Sequence, residues 1–152
     1  MNTFFNTACT SEVNLDIRKL QETIVEALDD IKARDIMVFD TTGGSQEFDR
    51  VIVATAEVAR QTKAMAMEYM YKTIRINAVA PGPVATELFD NGHPVGSAKR
   101  QAVIDSIPVK FVGGPQDVAR AVSFFLSPDS GYISGQTLCV CGGSSVSGSG
   151  GN

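Results

Sequence analysis

Residues 59–82 read ARQTKAMAMEYMYKTIRINAVAPG, and their periodicity changes midway. Val58, just upstream, and Thr62, Met65 and Tyr69 recur at three- and four-residue spacing, the pattern of one helical face. From Thr73 to Ala80 the period drops to two: Ile74, Ile76 and Ala78 alternate with Arg75, Asn77 and Val79, as along a strand. Pro81-Gly82-Pro83 ends that run. A helix feeding a strand predicts an α/β domain.

Upstream, Ile17, Leu20, Ile24, Leu28 and Ile31 predict a helix, with Asp16 as its N-cap. Its other side carries Arg18, Glu22, Glu26, Asp29 and Asp30, a solvated acidic stripe. Residues 36–39 and 51–54 read as short apolar strands, and Thr41 to Ser45 as a turn. Thr55 can cap the helix of the opening stretch. Downstream, 89–96 reads as a polar loop around His93, the single histidine. A short helix is expected between Ser97 and Pro108. Another opens at Gly114-Pro115, with Val118, Ala121, Val122, Phe125 and Leu126 as its buried stripe. Residues 136–141 form the last strand. The expected architecture is therefore α/β: one domain over 16–143, about four strands in a mixed sheet, with helices packed on it. Residues 1–15 are expected to be irregular and 144–152 a flexible Gly/Ser tail.

Composition narrows the function classes. With 152 residues, 43% hydrophobic and 20% charged, the chain is globular and can bury a core. Seventeen acidic residues oppose thirteen basic ones, for a net charge of −4. No Lys/Arg patch for nucleic-acid phosphates stands out, and acidity favours a basic protein partner. No apolar run approaches a membrane span, and MNTFFNTACTSEV lacks a leader pattern, so a cytoplasmic location is expected. Three cysteines, an odd number, suit a reducing compartment. Cys139 and Cys141 read as buried core thiols in preference to a redox or metal pair. No metal site is expected.

Two resemblances lie side by side. Ile24-Val-Glu-Ala-Leu-Asp-Asp-Ile-Lys-Ala-Arg-Asp-Ile36, Phe39-Asp40, Phe48-Asp49, Val51-Ile-Val-Ala54 and Arg60-Gln-Thr-Lys-Ala64 follow in order. On these, residues 20–66 resemble the first half of the ribosomal silencing factor (Iojap-like) family, small non-enzymatic α/β domains that bind the large ribosomal subunit. Ile74-Arg-Ile-Asn-Ala-Val-Ala-Pro-Gly-Pro-Val-Ala-Thr-Glu-Leu88, Gly114-Pro-Gln-Asp-Val-Ala119, Phe125-Leu-Ser-Pro128, Gly135-Gln136 and Gly142-Gly143 follow in turn. On these, residues 62–143 resemble the C-terminal third of short-chain dehydrogenases/reductases. The two overlap in the helix, and a seam is expected at 59–70. The second resemblance implies that Pro81, Gly82, Val84 and Thr86 are remnants of nicotinamide contacts. It also implies that a lid follows them and that the last helix and strand can build a homo-oligomer. Cys141 stands where that family usually carries an acidic residue.

The chemistry implied by the second resemblance is incomplete in this sequence. A dinucleotide's pyrophosphate needs a Gly-rich turn opening a helix. Thr41 to Ser45 has two glycines but continues Gln-Glu-Phe-Asp without the expected spacing, so an ordinary turn is the preferred reading. Counting back from Ile74, the family's Tyr and Lys positions fall on Val51 and Thr55, which cannot exchange protons. Tyr69, Tyr71 and Lys72 close a helix and do not reproduce the pair. A dinucleotide-binding oxidoreductase needs about 250 residues, longer than this chain by roughly a half-domain. The expectation is therefore a non-catalytic interaction module with no catalytic residue and no cofactor. Its partner would be a large-subunit ribosomal protein or, more broadly, another basic protein met in the manner of an antitoxin. The surface of Glu22, Glu26, Asp29 and Asp30 would serve it. Two alternatives stand beside this reading: a partial NAD(P)-dependent reductase, and a recombined or artificial chain with no inherited activity.

Overall fold

The computed structural model describes residues 16–41, 50–55, 59–69 and 74–147. The irregular start expected at 1–15, most of the 41–45 turn, Tyr71, Lys72 and the end of the tail lie outside the described residues. The chain divides into two compact units, Met1–Glu57 and Val58–Asn152, with the division just ahead of the expected seam.

In the first unit, Asp16 caps α1 (Ile17–Asp30): its Oδ1 accepts from the N–H groups of Arg18 and Lys19 at 3.1 and 3.4 Å. α1 packs against β1 (Arg34–Asp40), which pairs antiparallel with β2 (Arg50–Thr55). The register sets Met37 opposite Val53, Val38 opposite Ile52 and Phe39 opposite Val51. Arg50 ties the three elements together: it reaches Asp40 Oδ1 at 2.6 Å and Gln21 Oε1 at 3.2 Å. Ala33 is the buried apolar residue among those described in this unit.

In the second unit, α2 (Ala59–Tyr69) and α5 (Pro115–Leu126) both pack against β3 (Ala78–Pro81). β3 runs parallel to β4 (Thr137–Val140), and α5 also packs on β4. Between β3 and α5 lie α3 (Glu87–Gly92) and α4 (Ala98–Ser106). Met65, Ala66, Tyr69, Ile107, Ala121 and Phe125 form the core. Asp117 reaches back to the Gly114 N–H at 2.8 Å and satisfies a first-turn donor of α5.

The α/β class is as expected, but the single mixed sheet is not. Among the described residues, the strands form two pairs, β1–β2 and β3–β4. A short connection lets β1 and β2 close as an antiparallel hairpin, whereas three helices between β3 and β4 demand a parallel crossover. The third strand is also shorter than its alternating pattern. Ile74–Asn77 meet 133–136 largely through side chains: Ser134 Oγ accepts from the Ile76 N–H, and the Asn77 carboxamide bonds the Ile133 carbonyl and the Gln136 N–H, beside one backbone bond from the Gly135 N–H to the Ile76 carbonyl at 2.7 Å. Gly135, at φ +71°, bends the partner chain so that a regular ladder begins only at Ala78. The expected loop 89–96 starts inside a helix, α3, and Cys139 is exposed and Cys141 half-buried, so neither is a core thiol.

Candidate nicotinamide-facing turn

The end of β3 carries all four residues predicted to touch a nicotinamide. Pro81 is the last strand residue, paired with Val140. The Gly82 N–H donates to the Val140 carbonyl at 3.0 Å, so the turn leaves the sheet only after one more bond. A Cβ on Gly82 would stand 2.8 Å from both Cα and Cβ of Cys141, and only glycine fits that approach. Val84 then bridges Gly113: Ala85 N–H donates to the Gly113 carbonyl at 2.8 Å, and Gly113 N–H to the Pro83 carbonyl at 3.2 Å. The turn is thus pinned to β4 at one end and to the start of α5 at the other.

Thr86 is the N-cap of α3, its Oγ accepting from the Phe89 N–H at 3.3 Å. A hydroxyl has one proton and two acceptor sites, so this bond leaves its O–H able to donate to a carbonyl. Thr86 is exposed and Val84 half-buried, giving one polar and one apolar contact side by side. Behind the turn, Arg75 Nη1 donates to the carbonyls of Phe125 and Ser130 at 2.8 and 3.0 Å. Arg75 and Asn77 therefore act as scaffold that holds β3 to the segment after α5.

Cys141 follows β4 directly. Gly142 and Gly143, at φ +59° and +89°, turn the chain so that the N–H groups of residues 143–145 face its sulfur. The Ser145 hydroxyl lies 3.2 Å from Sγ, and the Ser145 N–H donates to it at 3.4 Å. The Ser145 hydroxyl, and then these backbone donors, hold the thiol pKa below its ordinary range.

The remaining sequence candidates do not gather at this turn. Glu22, Glu26, Asp29 and Asp30 are exposed on α1. Val51 and Thr55 lie on β2, not on a helix, and Tyr69 is buried in the core. Thr55 is exposed at the end of β2, and the link from it to α2 lies outside the described residues. Of the 41–45 turn only Thr41 is described. Among the described residues no group of three His, Cys, Asp or Glu side chains could hold a metal, and no helix is long and apolar enough to cross a membrane. Arg100, which holds α3 to α4, and the Cys141 nest were not singled out as sites from the sequence; Cys141 was noted only as a departure in residue type.

A family model described as enoyl-(acyl carrier protein) reductase, of the short-chain dehydrogenase/reductase group, matches residues 36–145. The chain is 40% identical over 82 residues to 3-oxoacyl-(acyl-carrier-protein) reductase FabG of Rickettsia prowazekii (strain Madrid E), covering 54% of this chain and 33% of that protein. It is 38% identical over 86 residues to glucose 1-dehydrogenase 2 of Bacillus subtilis (strain 168), covering 57% and 33%. A 4-hydroxyisoleucine dehydrogenase solved with NADH superposes at TM-score 0.54 and 26% identity, over 62% of this chain and 37% of that one. The chain spans about a third of the length of these relatives.

These matches overturn two expectations and leave a third without support. The non-catalytic binder gives way, because the relatives are oxidoreductases by name. The expectation of no cofactor is contradicted, because a structural relative is solved with NADH. Nothing supports the ribosomal silencing resemblance, and the family match begins at residue 36, well inside the segment assigned to it. Short apolar strands flanking a helix are common to many α/β domains, so the order of elements in 20–66 was a weaker discriminator than the Pro81–Thr86 motif.

Proposed function

We propose a function from one premise: the chain belongs to the enoyl-(acyl carrier protein) reductase family of short-chain dehydrogenases/reductases. It supplies the nicotinamide-facing part of an NAD(P)H-dependent oxidoreductase acting on a carbonyl compound. The observation that carries this reading is the doubly pinned turn, in which Gly82 closes on Cys141 while Val84 bridges Gly113. Such a turn holds its backbone and the Thr86 hydroxyl in place before any ligand arrives, which lowers the ordering cost of binding.

The residues present suit the group. Val84 would offer the group an apolar contact, and the Thr86 hydroxyl, free to donate, would offer its carboxamide a hydrogen bond. When bound, the nicotinamide supplies the hydride. This chain's residues orient the ring and cover it; the Tyr and Lys positions fall on Val51 and Thr55, so they do not supply the proton.

The test is saturation-transfer NMR of the chain with NADPH and with NADH. Signal transfer is expected at the nicotinamide protons, with a Kd of roughly millimolar, because the turn makes only part of a dinucleotide's contacts. Thr86→Val should weaken binding by about tenfold, the effect of one lost hydrogen bond to a polar ligand group. Transfer confined to the adenine protons, or none, would sink the reading.

A further inference from the structure

Between Thr86 and the buried Ile107 the chain forms an arm, α3 and α4 joined by residues 93–97. Neither helix contains a buried residue, and Leu88 and Val95 stand 85% and 84% exposed. Apolar burial in the arm is limited to half-buried side chains such as Phe89, Val103 and Ile104.

One guanidinium joins the two helices. The Arg100 side chain, 16% exposed, donates from Nη1 to Asp90 Oδ1 at 2.6 Å and to the His93 carbonyl at 3.0 Å. Its Cζ lies 5.4 Å from the centroid of the Phe89 ring. That ring stacks on His93 with centroids 4.5 Å apart and planes 13° from parallel. His93 Nδ1 in turn lies 3.2 Å from the Phe89 carbonyl. From the first turn of α4, Arg100 thus grips the body of α3 and its C-terminal end together. Both hydrogen bonds leave Nη1 while the planar guanidinium lies by the Phe89 ring; a lysine ammonium ends one bond short of Nη1 and has no planar face to lay on the ring. The pair is also better shielded than most surface ion pairs, because the guanidinium is covered.

The grip reaches the turn through Phe89. The ring of Phe89 lies under Arg100, while its N–H donates to Thr86 Oγ. We propose that Arg100 is a positioning residue: it makes α3 and α4 one rigid arm and, through Phe89, fixes the Thr86 hydroxyl. The value of that hydroxyl to a nicotinamide rests on the function proposed above. The rigidity of the arm does not.

Residue-resolved amide exchange on the full chain without cofactor tests this. In Arg100→Gln, protection across 87–104, including the Phe89 N–H, should fall about tenfold, as expected for losing hydrogen bonds to a charged group. Protection across α5 and β4 should stay within about twofold, since local opening leaves the remaining fold intact. Arg100→Lys should recover only part of the loss. Unchanged protection in the arm would overturn the proposal. So would an equal loss in α5, which would mark a general structural role, or full recovery with lysine, which would remove the need for the longer, planar guanidinium. Failure of the wild-type chain to bind NADPH would count against the function alone, since exchange is read without it.

Discussion

Cys141 shows how much a backbone turn can do for one side chain. Its sulfur is reached by the Ser145 hydroxyl and by N–H groups of residues 143–145, which favour the thiolate and lower its pKa. The folded value lies below the unfolded one, so the linked stability is present above the unfolded pKa and is lost as pH falls through the folded value. Ser145→Ala removes the largest contribution. The pH profile of iodoacetamide labelling at Cys141, followed peptide by peptide, should move to higher pH in that variant; an unmoved profile would contradict the assignment. None of this was legible beforehand, because alternation along a strand says which way a side chain points and not which amides the next turn aims at it. The turn that holds Pro81, Gly82, Val84 and Thr86 was legible as a turn, since Pro81-Gly82-Pro83 stops an alternating strand. The Gly82–Cys141 contact joins residues distant in sequence, and the Arg100 grip reaches across the connection between two helices, so no local pattern announces either.

At the scale of elements, legibility followed apolar periodicity. α5 appeared where Val118, Ala121, Val122, Phe125 and Leu126 set it, and α4 follows Ser97, where a short helix was expected. α3 went unread because it is six residues long and buries none of them, leaving only the Thr86 cap as a sign. The third strand was read too long because Asn77 uses its carboxamide where a ladder would use backbone. Caps matter most where a helix carries the core, as α5 does through Ala121 and Phe125. Asp117→Ala removes the acceptor for the Gly114 N–H and should lower the stability of the second unit by about 1 kcal/mol, read from its urea midpoint. Asp117→Glu should cost less, because a longer carboxylate still reaches the same amide.

For the whole molecule, the contrast between the two units is the feature with measurable consequences. Among the described residues, Ala33 is the buried apolar residue of the first unit, while six such residues fill the second. Little buried area means little resistance to opening. Amides of β1 and β2 should lose protection at lower urea than those of β3 and α5, and a single shared midpoint would contradict that separation. The first unit also misled the sequence reading most, since its short strands and solvated helix carry little that distinguishes one family from another. The crowding at Gly82 bears, finally, on how such a sequence can drift. The atoms that exclude a side chain there are Cα and Cβ of Cys141, and Cα remains whatever residue stands at 141. Shrinking position 141 therefore cannot open position 82 to substitution, while the tip of the 141 side chain is free to change from acid to thiol. Of two residues in contact, one is closed to evolution and its neighbour is open.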